Sequence, residues 1–424
     1  FLPGYFLLKI IDREESIRGT ATIVLSYLLS LFVTFLTGFF TLLFGVSISS
    51  TGSMAMILVN LVLFASYLLV KWGRCESGKD SIDPRAIGLI SSLSFLMENI
   101  VAYATNVTLP LSGGDMWRHH GTALQFSTGF PTEHGLQFLW SYPYLYSIYL
   151  AVIFSVSGLP SMMAYQFLHI LGFIPLICFY LMVKTWFDGK RENHVAAISS
   201  FLASTLGFGS LYVLHLKLAN PSMTLLPALS KAVRKTYDLY NIRLLTPISA
   251  WIVPLQRIGL PSLLLFLYLM PKEFNKYAKC SLMAILFSLS YLGHISEAFF
   301  LVAMMLIYVL IADRRELSKA APLSMALGMG IVALVDHIAP IRIYTNVSKS
   351  TGAVSILSLV LIVSIYLVFM IRKKHVFKIP MKQRGLDTIC NVAGWFFIYC
   401  YLFSLLVWMY LLPSYDAYRY GGYT

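Results

Sequence analysis

The apolar runs constrain this chain more than any other feature of its sequence. Runs of about 18 or more apolar residues recur along its 424 residues, separated by short polar or basic loops. A helix of that length crosses a hydrocarbon core about 30 Å thick. Charged residues make up 12% of the chain, where a soluble domain carries about 25%. We therefore predict an all-α fold, a polytopic transmembrane helical bundle with roughly ten to twelve spans.

The whole chain, residues 1–424, reads as a single transmembrane domain in the cell membrane. The predicted spans are each an apolar run between loops: 20–46, 54–70, 86–105, 163–183, 194–216, 281–292, 298–312, 320–338, 353–371 and 386–412. Loops 71–85 and 184–193 are basic, so the positive-inside rule predicts that they are cytoplasmic. The first large outer loop is then 106–142. Sequons at Asn106 and Asn346 fall on the predicted outer side and suggest glycosylation.

The short apolar run 144–156 leaves the topology open. Placing 106–142 outside and 184–193 inside requires an odd number of crossings between them, and the sequence gives two. Either the 144–156 run does not fully cross, or loop 184–193 lies outside despite its charge.

The charge pattern also restricts the partners. The net charge is +13, but the basic residues cluster in loops between apolar runs, so we predict membrane lipids as partners and no nucleic acid. The sequence starts without Met and stops in a Gly-rich aromatic stretch, so we expect it to be part of a longer protein, truncated at both ends.

The densest polar cluster occupies residues 113–121, in the outer loop. It holds Asp115, Arg118, His119 and His120 behind two glycines, and we expect a flexible loop followed by a short amphipathic helix at 122–126. Asp115 suits a general base, or it binds Mg²⁺ or Mn²⁺ together with His119. Arg118 and the histidines suit a phosphate. The alternative is a solvated loop with chance charges.

A second polar stretch, residues 217–257, supplies further cations. Those that suit a phosphate are Lys231, Arg234, Lys235 and Arg243, and aromatic residues lie between them. The alternative is an amphipathic helix that merely rests on lipid headgroups.

The order of these features resembles the GT-C superfamily of polytopic glycosyltransferases. Four segments carry the resemblance: 114–121 with its acid, 129–131, 141–143 with Tyr142 before a proline, and 154–160. The resemblance implies transfer of a sugar from a polyprenyl-phosphate donor to an acceptor on the outer face. It makes Asp115 the catalytic base or a metal ligand. Where the family often has a second acid, this chain has His119 and His120.

Two other functions remain open on sequence alone. A secondary transporter would use the ionisable residues within or beside spans, namely Glu98, His294, Glu297 and Asp336. A non-catalytic subunit of a larger membrane-protein complex would use the outer loops as a contact surface. The absence of Walker A, HExxH and GxSxG motifs disfavours nucleotide hydrolysis, zinc proteolysis and serine hydrolysis.

Overall fold

A computed structural model describes residues 1–71, 88, 114–130, 144–161, 163–164, 174–186, 216–228, 231, 256–311, 320–340, 342–344 and 350–374. Every regular element in these ranges is helical, which confirms the all-α prediction for this part of the chain. In chain order the helices are α1 Leu2–Ile11, α2 Thr20–Leu43, α3 Ile48–Lys71, α4 Gly114–Thr128, α5 Leu145–Ser157, α6 Ile174–Trp186, α7 Gln256–Leu269, α8 Lys276–Gly293, α9 Ile295–Ile311, α10 Ala320–Ile338 and α11 Ser350–Lys374. The predicted spans 86–105, 194–216 and 386–412 fall almost wholly outside the described residues.

Four of the described helices are long and apolar enough to cross a membrane: α2, α3, α10 and the Gly352–Ile371 part of α11. Their lengths of 19 to 24 residues match the roughly 20 residues that a bilayer requires. The predicted span 320–338 coincides with α10. A membrane protein follows from these helices by their length and composition.

Helix α3 begins earlier than the sequence predicts. Residues 47–53 read as a small polar turn, but all of them after Ser47 belong to α3. Their hydroxyl groups find partners inside the helix and on α5: Thr51 donates to the Ser47 carbonyl at 2.8 Å, and Ser53 donates to the Ser155 carbonyl at 2.8 Å. Serine and threonine whose side chains are bonded in this way do not break a helix.

The two halves of the α2–α3 hairpin have opposite surroundings. The apolar window of α2 is 78% buried inside the protein, whereas that of α3 is 6% buried. Helix α1 packs on both. It approaches α2 so closely that a Cβ on Gly4 would lie 1.9 Å from the Ser26 carbonyl oxygen. A helix with so much exposed apolar surface is stable where that surface meets lipid or another protein.

Helix α5 contacts both helices of this hairpin. Its middle meets α2 at Gly38, where a Cβ would lie 2.6 Å from Val152. Its end meets α3 at Gly52, where a Cβ would lie 3.0 Å from the Ser155 hydroxyl. Gly38 and Gly52 are nearly equidistant in sequence from the turn that joins α2 to α3, so both contacts lie near that turn. Its 13 residues span only about 20 Å.

The remaining helices pack around α7 and α8. Helix α7 packs between α6 and α8, α8 packs against α10, and α9 packs against α11. Asn275 caps α8 by accepting from the backbone N–H groups of Tyr277 and Ala278, and its side-chain amide donates to Glu14 at 3.3 Å. The start of α8 therefore lies at the end of the bundle where α2 begins, and the hairpin tip at Ser47 lies at the other end.

Candidate functional site

The polar cluster that stands out in the sequence belongs to α4. The prediction of a flexible loop over 113–121 was wrong for the part that the structure describes, because the helix runs unbroken over Gly114–Thr128. Apart from Gly121, no glycine or proline interrupts this stretch, and most of its residues are compatible with a helix. The helix ends before Gly129, whose N–H donates to the Gln125 carbonyl at 3.3 Å. A fixed helix, rather than a mobile loop, positions these residues.

One face of α4 is buried and the other is exposed. The buried side chains share a helical spacing and are His119, His120, Thr122, Ala123 and Phe126. The exposed ones are Leu124, Gln125 and Thr128. This amphipathic pattern is that of a helix lying on the surface of a packed structure. The prediction of a short amphipathic helix at 122–126 is therefore confirmed, as part of the longer helix Gly114–Thr128.

Both histidines contact α5. The His119 ring meets Tyr146 edge-on, with 5.6 Å between ring centroids. The His120 Nε2 atom lies 3.0 Å from the Ser161 hydroxyl, and its ring lies 5.4 Å from that of Phe154. Consecutive residues of α4 thus contact the first and the second half of α5, at Tyr146 and Phe154.

Burial alters the acid–base behaviour of His120. Loss of solvent lowers the pKa of the His120 imidazole below its ordinary value of 6.5. The neutral form therefore dominates at neutral pH. His120 is then a hydrogen-bonding group, and the sequence-based expectation that it neutralises a phosphate by charge is disfavoured.

Asp115 and Arg118 have described backbones in α4, and their side chains lie outside the description. Asp115 is the second residue of the helix, one turn before His119. A carboxylate is favoured in the first turn, where backbone N–H groups are unpaired. Of the other predicted site residues, Lys231 is exposed, and the rest lie outside the described residues: Asn106, Tyr142, Arg234, Lys235, Arg243 and Asn346.

The metal prediction remains open. Within the described residues no three His, Cys, Asp or Glu side chains come together as a metal site. That search does not reach the Asp115 carboxylate. If Asp115 and His119 bind a cation together, the imidazole nitrogen favours Mn²⁺ over Mg²⁺, because Mg²⁺ takes oxygen ligands.

A second polar group lies at the junction of α8 and α9. His294 Nδ1 and Glu297 Oε2 form a buried hydrogen bond. Helix α7 passes so close that a Cβ on Gly259 would lie 2.9 Å from Glu297 Oε2. The other carboxylate oxygen, Oε1, is buried and has no hydrogen-bond partner among the described residues. The sequence singled out both ionisable residues but did not indicate that they pair with each other. Glu98, their predicted partner in transport, lies outside the described residues.

Three tyrosines meet beside this junction, which the sequence did not predict. The Tyr344 ring lies 6.0 Å from Tyr144 and 5.9 Å from Tyr291, and its hydroxyl donates to the Leu292 carbonyl at 3.1 Å. The backbone N–H of Ile343 donates to buried Asp336 at 2.7 Å. Burial is the main cause that raises the pKa of Tyr344 well above 10, so this hydroxyl stays protonated. The three positions have no common spacing, so no sequence signal marks them.

Comparison with known proteins identifies no relative of this chain. The chain matches no protein family, no curated protein and no solved structure.

Proposed function

We propose that this protein is a polytopic membrane glycosyltransferase. It transfers a sugar from a polyprenyl-phosphate donor to an acceptor at the outer face of the cell membrane. The observation that carries the proposal is the position of α4. The helix that contains Asp115 and Arg118 packs through its buried histidine face on α5, beside the tip of the hairpin of membrane-length helices α2 and α3. A polyprenyl-phosphate donor keeps its tail in the lipid and its phosphate at the membrane surface. Its binding site must therefore lie at the depth of the hairpin tip.

The length and contacts of α5 support a multi-pass topology with α4 outside. A helix of about 20 Å that contacts both spans near their shared turn is too short to be counted as a further crossing. Loops 106–142 and 184–193 then fall on opposite sides of the membrane, as their charges require. This favours the first of the two topologies that the sequence allowed.

The chemistry needs one base and several groups that bind phosphate. Asp115, assisted by His119, takes the proton from the acceptor hydroxyl as the acceptor oxygen attacks the anomeric carbon. The bond from that carbon to the phosphate oxygen breaks, and the electron pair leaves with the phosphate. The groups that bind and stabilise this phosphate, by charge or by hydrogen bonds, are Arg118, His120, Tyr142, Lys231, Arg234, Lys235 and Arg243. In their alternative role, Asp115 and His119 would instead hold a Mg²⁺ or Mn²⁺ ion, which would supply positive charge to the phosphate.

Replacement of Asp115 by asparagine tests the proposal. A base that is lost typically costs about 10²- to 10⁴-fold in rate. We expect Asp115→Asn to lower the release of labelled hexose from a polyprenyl-phosphate donor in proteoliposomes by at least about 100-fold. Glu273→Gln is the matched control, because Glu273 is an exposed carboxylate at the other end of the bundle. Unchanged release by a folded Asp115→Asn protein contradicts the proposal.

The buried, hydrogen-bonded pair His294–Glu297 favours a second candidate function, a secondary transporter. Ionisable groups inside a membrane bundle commonly couple ion and substrate movement. Proteoliposomes distinguish the two functions. A transporter loses solute uptake when Glu297 is replaced by glutamine and keeps it when Asp115 is replaced, whereas a glycosyltransferase shows the Asp115 dependence described above.

A further inference from the structure

Two lysines lie at the edge of the bundle opposite to α4. Lys184 is in the last turn of α6, and Lys272 follows the end of α7, which packs against α6. The neighbouring cap residue Asn275 contacts Glu14, just before α2, whereas Ser47, just after α2, donates to the Ser127 carbonyl of α4 at 2.9 Å. Helix α2 has 24 residues and is about 36 Å long. The two lysines are therefore remote from the proposed catalytic site.

Each lysine is held over a tyrosine that lies four residues before it. The Lys184 ammonium lies 5.8 Å from the centre of the Tyr180 ring. The Lys272 ammonium lies 4.7 Å from the centre of the Tyr268 ring. Both tyrosine rings are buried among neighbouring side chains. The ring face that each turns toward its lysine can attract the ammonium group. The same arrangement on two adjacent helices fixes both ammonium groups at one edge.

Lysines outnumber carboxylates at this edge among the described residues, and the exposed Glu273 directly follows Lys272. Neither lysine forms an ion pair there, and Lys184 adds to the effect of burial in lowering the pKa of Lys272. A third lysine does not contribute, because the Lys279 ammonium donates to the carbonyls of Met270 and Lys272, at 2.7 Å each. Lys279 thereby neutralises the carbonyl end of α7, which would otherwise repel an anion.

The surroundings of Lys184 and Lys272 indicate which kind of anion they bind. Lys184 ends an apolar helix, and the two tyrosines are the residue type that concentrates at the boundary between lipid and water. We propose that Lys184 and Lys272 together bind the phosphate of an anionic lipid headgroup at the membrane surface opposite to α4. A phosphate diester fits because it carries a full charge at every physiological pH and its oxygens accept from two ammonium groups at once. This site does not depend on the proposed glycosyl transfer.

Lipid retention in native mass spectrometry tests the site. The purified protein is exchanged into detergent with phosphatidylglycerol or phosphatidylcholine. A basic residue near an anionic surface contributes about five-fold in binding, so Lys184→Gln with Lys272→Gln should retain about 25-fold less phosphatidylglycerol than the unmodified protein. Retention of phosphatidylcholine should not change.

The control and a conservative variant separate charge from folding. Lys276 lies 4.9 Å from the Tyr277 ring centre, but both residues are exposed, so Lys276→Gln should retain the lipid. Arginine at both 184 and 272 should restore retention. Equal retention by the Lys184→Gln, Lys272→Gln protein overturns the proposal. Displacement of the lipid by millimolar inorganic phosphate also overturns the proposal, since that result would identify a site for free phosphate.

Discussion

Burial decides the protonation of His120. Its imidazole is buried between Phe154 and Ser161, and its pKa lies below 6.5. In the unfolded chain the same imidazole has its ordinary pKa. As the pH falls below 6.5, the unfolded state takes up the proton first, so the folded state loses stability relative to it. Well above pH 6.5 both states are largely neutral, and His120 then contributes little pH dependence.

This linkage gives a measurable pH effect. We expect the thermal unfolding midpoint of the protein in detergent to fall between pH 7.5 and pH 5.5, and His120→Asn to make that fall smaller. His337 is exposed at the end of α10, so His337→Asn should leave the fall as it is. The explanation fails if both variants respond to pH as the unmodified protein does.

At the scale of helices, small residues set the close contacts. Gly328 of α10 meets α8, where a Cβ would lie 2.7 Å from the Phe287 ring and 2.8 Å from the Ala284 carbonyl oxygen. Gly330, two residues further along the same helix, has open space around it. Close helix approach in membranes commonly depends on such small residues.

The two glycines therefore form a matched pair for mutation. We expect Gly328→Ala to destabilise the protein by about 1–3 kcal/mol, because the methyl group forces α10 away from α8. Gly330→Ala should be neutral or stabilise by up to about 1 kcal/mol, since alanine favours helix. Unfolding midpoints of the two variants in one detergent decide the matter. A Gly328→Ala protein as stable as Gly330→Ala would show that the contact can relax.

The helices themselves were largely predictable, and their arrangement was not. The unbroken apolar run 320–338 gave α10, because length and hydropathy are local properties of a sequence. The polar segment 113–121 was misjudged, because the stability of α4 comes from histidines packed on α5, a contact between distant parts of the chain. The meeting of Tyr144, Tyr291 and Tyr344 depends on packing in the same way. The site role of Asp115 stays a prediction, which rests on its residue type and its neighbours in the sequence.

For the molecule as a whole, the depth of α5 distinguishes the two topologies that the sequence allows. Its end meets Gly52 and Ser53 near the start of α3, so Val156 should lie at the depth of Met54. Both side chains are exposed on the protein surface, as is that of Leu61, which lies nearer to the middle of α3.

Spin labels at these three positions test that depth. In a background without native cysteines, labels at Val156 and Met54 should show the same ratio of collision with oxygen to collision with a water-soluble nickel complex. A label at Leu61 should show a higher ratio, since oxygen concentrates in the bilayer centre. A Val156 label that reports the opposite membrane surface would mean that α5 crosses, and loop 184–193 would then lie on the same side as α4.

The unequal burial of α2 and α3 sets how freely the amino-acid sequence of each helix can change during evolution. Few residues of α3 are fully buried, so its exposed positions can exchange leucine, isoleucine, valine and phenylalanine freely while remaining apolar enough for lipid. Helix α2 touches protein on most sides, so most of its side chains are constrained in volume by their neighbours. Two adjoining helices of almost equal mean hydropathy, 2.1 and 2.2, should therefore drift at very different rates.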